Sequence, residues 1–375
     1  MDQNENQQNE NQQHINQQYE GQQYESQQHE SQQHESQQHE AQQNEYNSQQ
    51  FNNQQTVNQW NNGQVYYHQP YNGQPFIEHQ DHRIISNTAL GLFIMGLAVV
   101  ISQIVATSIA VAIKVDIFET SWFGWALTAF SMIAVGLPTF YLMSRKIPDS
   151  PKGEVIRLKP LAFLGIFLVC TAAMYITNFF SVFLTFLIAL LKGQNYTDLN
   201  PLNEMFTGSN YILTLLYASV AAPIVEELIF RKLLLNKLRR YGDVPAILMC
   251  GIAFGLFHMN LAQFFYATAL GMIFSYITIR TNTIRYSILL HIMINFIGAA
   301  ITPFATKPNM LVSVIMVMWV FSSIAAGVVI FILNIRKIRL YRGIPMQKKS
   351  KYFLNPGTIL YTLFCLVMIV IATLG

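Results

Sequence analysis

From Arg83 to Gly375 the chain alternates long apolar runs with short loops rich in Lys and Arg, and this pattern leaves few folds open. A helix crosses the hydrocarbon core of a bilayer in about 20 apolar residues. Runs of that order lie near residues 88–113, 122–144, 161–191, 211–232, 244–259, 261–279, 287–304, 310–335 and 355–374. In hydrocarbon each backbone N–H and C=O needs a partner inside the protein, which continuous apolar runs satisfy as helices. We therefore expect an all-α, polytopic transmembrane helix bundle of about nine spans, over residues 83–375. The 161–191 run is too long for one upright span and is expected to tilt or kink. The 244–259 run is short and ends at a tight Met259-Asn260 turn.

Charge divides the chain in two. Only 11% of all residues are charged, against about 25% in ordinary soluble proteins. Residues 1–82 carry eleven acids and no Lys or Arg; residues 83–375 carry all 23 basic residues and nine acids. The basic excess sits in loops 145–159, 231–240, 280–285 and 336–351. The intervening loops, 114–120, 192–210, 259–260 and 303–308, are poor in Lys and Arg. Alternation of this kind orients spans in a cell membrane with the basic loops inside. It puts the N-terminus in the cytoplasm and the C-terminus outside. It also argues against nucleic-acid binding, which needs the cations gathered on one groove or face. Cys170, Cys250 and Cys365 all fall in apolar runs and read as buried small hydrophobes.

Residues 1–82 form a Gln/Asn-rich, low-complexity tail in which Glu-Ser-Gln-Gln-His recurs with a five-residue period between Glu25 and His39. Five matches neither the helical nor the strand repeat, so no apolar face forms and the tail is expected to be disordered. Its first 80 residues contain no basic-then-apolar secretory leader. His29, His34 and His39 read as part of a solvated tail.

The chemistry gathers elsewhere. Of the nine acids after Arg83, only Glu226 and Glu227 lie within an apolar span, and only His258 and His291 of the nine histidines do so. An ionisable group there costs roughly 2.5–3.5 kcal/mol unless it faces protein or water. Glu227 and Arg231 have the i, i+4 ion-pair spacing, while Glu226 projects about 100° away from Glu227. Glu227 is thus expected to be held by Arg231, leaving Glu226 free to face other helices. Phe254 and His258 share one helix face, as do His291 and Asn295. Glu226 lies 16 residues before Gly242 and His258 lies 15 after Asp243, so an antiparallel pair of helices sets them at one depth. His291 sits somewhat nearer the cytoplasm. Small residues at Ala221, Ala222, Gly251, Gly255 and Gly271 would let these helices approach closely. Pro223 frees a carbonyl one turn before Glu226. Taken singly, each histidine reads as a packed polar group, Asn295 as interhelical glue, and the glutamates as a network with Arg231 and Lys232. Their coincidence on three helices at compatible depth favours a site.

Glu226-Glu227-x-x-x-Arg231, Phe254-x-x-x-His258 and His291-x-x-x-Asn295, in that order, resemble the three motifs of the CPBP family. These are the CAAX-processing and bacteriocin-processing (Abi) intramembrane proteases, related to the type II CAAX prenyl endopeptidase. The resemblance covers about residues 205–305. It implies peptide-bond hydrolysis in the membrane, by a glutamate-dependent or a metallo-endopeptidase, on a membrane-embedded or lipidated peptide or protein.

The residues fit that chemistry. Glu226, desolvated in a cavity, suits a base toward water, with His258 holding the same water. His291 and Asn295 could donate to a developing oxyanion. Glu227 and Arg231 fix the helix end, and Phe254 packs there or lines the substrate path. Glu226, His258 and His291 also form a donor set that zinc accepts, although no His-Glu-x-x-His helix is present. We favour the metal-free site, since a base and oxyanion donors are already in hand. A non-proteolytic scaffold or bacteriocin self-immunity protein is the competing class. A proton-carrying transporter ranks last, because no inverted repeat is visible.

Overall fold

The computed structural model describes residues 78–113, 122–150, 153–193, 211–301, 310–342 and 349–374. The expected disorder of the tail, and its histidine repeat, lie outside these residues. The described residues belong to a single unit, Gly73–Gly375.

Each of the nine apolar runs becomes one helical segment. These are α1 Glu78–Ala112, α2 Phe123–Ser144, α3 Pro160–Lys192, α4 at residues 211–238, α5 Asp243–Phe257, α6 Leu261–Thr281, α7 Arg285–Phe296, α8 Met310–Asn334 and α9 Pro356–Leu374. Apart from an isolated bridge between Gly242 and Arg342, the described residues are not paired as β structure. Six helices, α1, α2, α3, α6, α8 and α9, are long and apolar enough to cross a membrane; α5 and Arg285–Ala299 are apolar but shorter. The chain is a multi-pass membrane protein. The long 161–191 run forms one uninterrupted α-helix, which starts on Pro160 and ends where Gly193, at φ 65°, closes its C-terminus. α1 starts ten residues ahead of its apolar run, and Ile85 in its early turns is fully buried.

Large apolar side chains such as Phe179 on α3, Met318 and Phe321 on α8, and Val367 on α9 stand exposed on the outside of the bundle. This suits a hydrocarbon surround, where an apolar exterior is not penalised. Inside, two clusters form. One joins Leu92 and Met95 of α1, Ile229 and Phe230 of α4, Cys250 and Phe254 of α5 and Cys365 of α9. The other joins Phe167 and Cys170 of α3, Leu270 and Phe274 of α6 and Leu290 and Ile294 of α7.

The seam between α5 and α6 needs glycine. A Cβ at Gly255 would land on Thr268 Oγ1 and come within 2.7 Å of the Phe264 carbonyl oxygen. A Cβ at Gly271 would come within 3.0 Å of Gly251 Cα. Gly251 and Gly255, one turn apart, thus bring α6 against α5 backbone to backbone.

At one end of the bundle the four basic loops interlock. Ser150 N–H donates to Asn236 O at 2.8 Å, and Lys237 Nζ pairs with Asp149. Ile156 N–H donates to Thr281 O at 3.0 Å, and Asn282 Nδ2 donates to Glu154 O at 2.9 Å. Asp243 pairs with Arg280; its N–H donates to Tyr341 O and its Oδ2 accepts from Tyr341 N–H, and the Tyr341 ring lies 4.7 Å from the Arg280 guanidinium carbon. The placement of all four loops on one side, read from sequence, is what the fold shows. Gly242, at φ 101°, makes the turn from α4 to α5 at this end, a backbone region favourable only to glycine.

Candidate active site

The two glutamates ride on a short α-helical stretch of α4, Ala222–Glu227, set between two π-helical turns, Tyr217–Ala221 and Leu228–Leu234. Wide turns of this kind cluster at functional sites, and here one has a cause. Pro223, in the first turn of the stretch, has no N–H to return to the preceding turn. Asn295 of α7 fills the deficit: its Nδ2 donates to Ala218 O at 2.9 Å. The amide keeps a second N–H. Asn295 is thus a tie between α4 and α7, as its glue reading has it, with one donor to spare.

Glu227 is committed through Oε1, while its buried Oε2 makes no hydrogen bond to a described group. Its Oε1 lies 3.0 Å from Arg231 Nη1 and 3.1 Å from His291 Nδ1, and both glutamate and arginine side chains are completely buried. Arg231 is further caged by aromatic faces. Its guanidinium carbon lies 4.4 Å from the Phe254 ring centre, 5.4 Å from Phe274 and 5.9 Å from Phe230. A desolvated cation over such rings gains about 2 kcal/mol. Phe254 and Phe274 come from the two different core clusters, so the ion pair sits where the clusters meet.

Both histidines are oriented from behind. A carboxylate and a carbonyl only accept, which assigns the protons. His291 Nδ1–H donates to Glu227, turning Nε2 toward Glu226. His258 Nδ1–H donates to Phe254 O at 2.9 Å, leaving Nε2 with its lone pair. The Phe254 ring stands edge-on to both imidazoles, 5.0 Å from His258 and 5.6 Å from His291. Phe254 is thus a buried spacer that fixes both rings. Its place is in the core, as its packing reading has it.

Glu226 is the uncommitted member. Its side chain is 13% exposed and its Oε2 lies 3.6 Å from His291 Nε2, too long for a hydrogen bond. That oxygen is buried and makes no hydrogen bond to a described protein group. His258 lies within electrostatic reach of Glu226, as the depth argument from Gly242 requires. Tyr217 and Tyr266 lie within its reach too, and Gln263 Nε2 donates to Tyr266 OH at 2.9 Å. Sequence reasoning missed these tyrosines and Phe274. They come from long-range packing of α4, α6 and α7, and no spacing within one helix marks them.

The set can take a proton at Glu226, hold a water between Glu226 and His258, and present donors from α7. The lone pairs of Glu226, His258 and His291 are of the kind zinc binds. Among the described residues, however, no three His, Cys, Asp or Glu side chains converge as a metal shell does.

Residues 208–297, which carry all of these motif residues, match the model of the family described as "Type II CAAX prenyl endopeptidase Rce1-like". This segment, about a quarter of the chain, is similar to that family. The chain is also 33% identical over 84 residues to a Bacillus subtilis (strain 168) protein named "Putative membrane peptidase YdiL". That match covers 22% of this chain and 34% of the other, so the chain spans about a third of the length of this curated relative. No solved structure matches the chain. The Rce1-like segment comprises α4 to α7 almost entirely, while α1, α2, α3, α8 and α9 surround it from outside the match.

Proposed function

We propose that the chain is an intramembrane endopeptidase, hydrolysing a peptide bond in a membrane-associated or prenylated protein or peptide with water activated by Glu226. The observation that carries this reading is the contrast between two adjacent carboxylates. Glu227 is wholly buried and pairs through Oε1 with Arg231 and His291, whereas Glu226 is partly exposed and its Oε2 stops 3.6 Å short of His291 Nε2 with no hydrogen bond. In this reading Glu226 removes a proton from a water held by His258 Nε2. The water oxygen attacks the carbonyl carbon, and the oxyanion takes the second N–H of Asn295 and, once Nε2 carries a proton as well, that of His291. Glu226 then returns the proton to the leaving amine.

The family description supports a C-terminal prenylated sequence as the substrate class. The purified full chain is expected to release a fragment from a synthetic peptide ending in farnesylated Cys-Val-Ile-Met, as read by mass spectrometry. Release is expected to continue in 1,10-phenanthroline. Inhibition reversed by zinc would transfer activation of the water to a metal held by Glu226, His258 and His291.

In the same reading the interlocked basic end faces the cytoplasm, because Lys and Arg loops are retained there. Reporter fusions after Gly153 and after Asn203 are expected on opposite sides of the cell membrane, the first inside. Both reporting the same side would overturn the orientation.

A further inference from the structure

At the basic end, behind the Glu227–Arg231 pair, lies a cavity of about 240 Å³ between α4 and the α6–α7 turn. Its lining contains Arg231, Lys232, Asn236 and Arg239 and no Asp or Glu. Two buried donors in it lack hydrogen-bond partners, Arg231 Nε and Asn236 Nδ2. Asn236 is only 7% exposed. An orphaned buried donor costs about 1–3 kcal/mol, and both belong to residues that line this one cavity. Arg239 is already engaged, donating to Asn282 Oδ1 at 2.6 Å and to Ile279 O at 3.1 Å. Lys232, exposed at the rim, supplies a positive charge that no described acid neutralises. A lining that holds cations and no acid, with Lys232 at its rim unpaired by any described acid, favours an anionic ligand.

We propose that this cavity binds the free C-terminal carboxylate of the peptide that is cut, held by Lys232 and Asn236 beside Arg231. The proposal rests on the endopeptidase reading above. Its geometry favours a chain end: Lys232 stands six residues beyond Glu226 on α4. At about 1.5 Å per residue this is about 9 Å along the helix, somewhat less through the wide π-turn. Two to three extended residues span the same distance, at about 3.3–3.6 Å each. A carboxylate seated here therefore leaves the scissile bond close to the level of Glu226. Arg231, which lines this cavity and pairs through Nη1 with Glu227, then stands between the two sites.

The test compares the farnesylated Cys-Val-Ile-Met peptide as the free acid and as the C-terminal amide. Both carry a fluorescent label, and binding is measured to the purified full chain with Glu226→Gln in phosphatidylcholine nanodiscs. The acid is expected to bind about 10- to 100-fold more tightly, the range of one or two charge-assisted hydrogen bonds. Lys232→Gln, an exposed change that leaves the core alone, is expected to cut that advantage about tenfold without weakening the amide. Asn236→Leu should act in the same direction. Equal binding of acid and amide would overturn the proposal, as would an acid preference untouched by Lys232→Gln. If phosphatidylglycerol nanodiscs abolish the preference, the cavity belongs to a lipid headgroup and the peptide assignment falls. Mass spectrometry of the same samples reads cleavage separately. A Glu226→Gln protein that cleaves would therefore discredit the catalytic base while leaving the acid preference to stand or fall by itself.

Discussion

Glu226→Gln is expected to abolish peptide cleavage while the protein inserts normally and melts no lower than the native chain. The amide keeps the size of the carboxyl and removes the base. General acid–base catalysis by a positioned side chain is commonly worth about 10²–10⁴-fold, and here the same group would also generate the nucleophile. Stability should not suffer, because Oε2 of Glu226 makes no hydrogen bond to the protein and its nearest charged neighbour, His291 Nε2, is 3.6 Å away. Replacing a desolvated charge by a neutral amide relieves the folded state. Thermal unfolding in detergent and cleavage of the farnesylated peptide, measured on one preparation, give both readings. Cleavage at the native rate would remove Glu226 from the mechanism and return the scaffold reading to first place.

The adjacent change, Glu227→Gln, is expected to do the opposite to stability. It leaves the Arg231 charge buried among three phenylalanine rings with its carboxylate gone. Breaking a buried pair from one side costs about 3–5 kcal/mol, so the melting temperature should fall by several degrees. Adding Arg231→Gln removes the stranded cation and should recover part of that loss. Activity should stay low in the double variant. The carboxylate that accepts from His291 Nδ1 at 3.1 Å is still missing, so the imidazole is no longer aimed at Glu226. A double variant regaining stability and cleavage together would show that Glu227 serves the fold alone.

The division between these two predictions shows what the sequence carried and what it did not. The helices were legible because apolar runs of bilayer length have one cheap backbone solution. The Glu227–Arg231 pair was legible because both partners lie on one helix four residues apart. The sequence set His291 beside Asn295 on one face; the structure adds that His291 Nδ1 is tied to Glu227, with Nε2 3.6 Å from Glu226, and that Asn295 spends one N–H on Ala218. These ties could not be read from sequence because of the π-turns on either side of Glu226-Glu227. They alter the rotation per residue, so the 100° step of an ideal helix no longer tells which face α7 will meet. Pro223 marks the place where such a turn is tolerated, but its extent depends on packing against α7. The Phe274 wall of the Arg231 cage is likewise set by how α6 seats in the Gly251 and Gly255 notch, a contact between helices that no periodicity records.

The short helices have a consequence for the surrounding lipid. α5 has 15 residues, and α7 has 12 before the π-turn Ile297–Ile301 that continues it, giving rises of about 22 Å and about 24 Å against a hydrocarbon thickness of about 30 Å. Helices this short are met by a pinched bilayer or by polar groups drawn inward at their ends. They are also the two that carry His258, at the end of α5, and His291, within α7. The hydrophobic barrier is therefore narrowest beside the histidines, and the water that hydrolysis uses up has its shortest route from the membrane surface there.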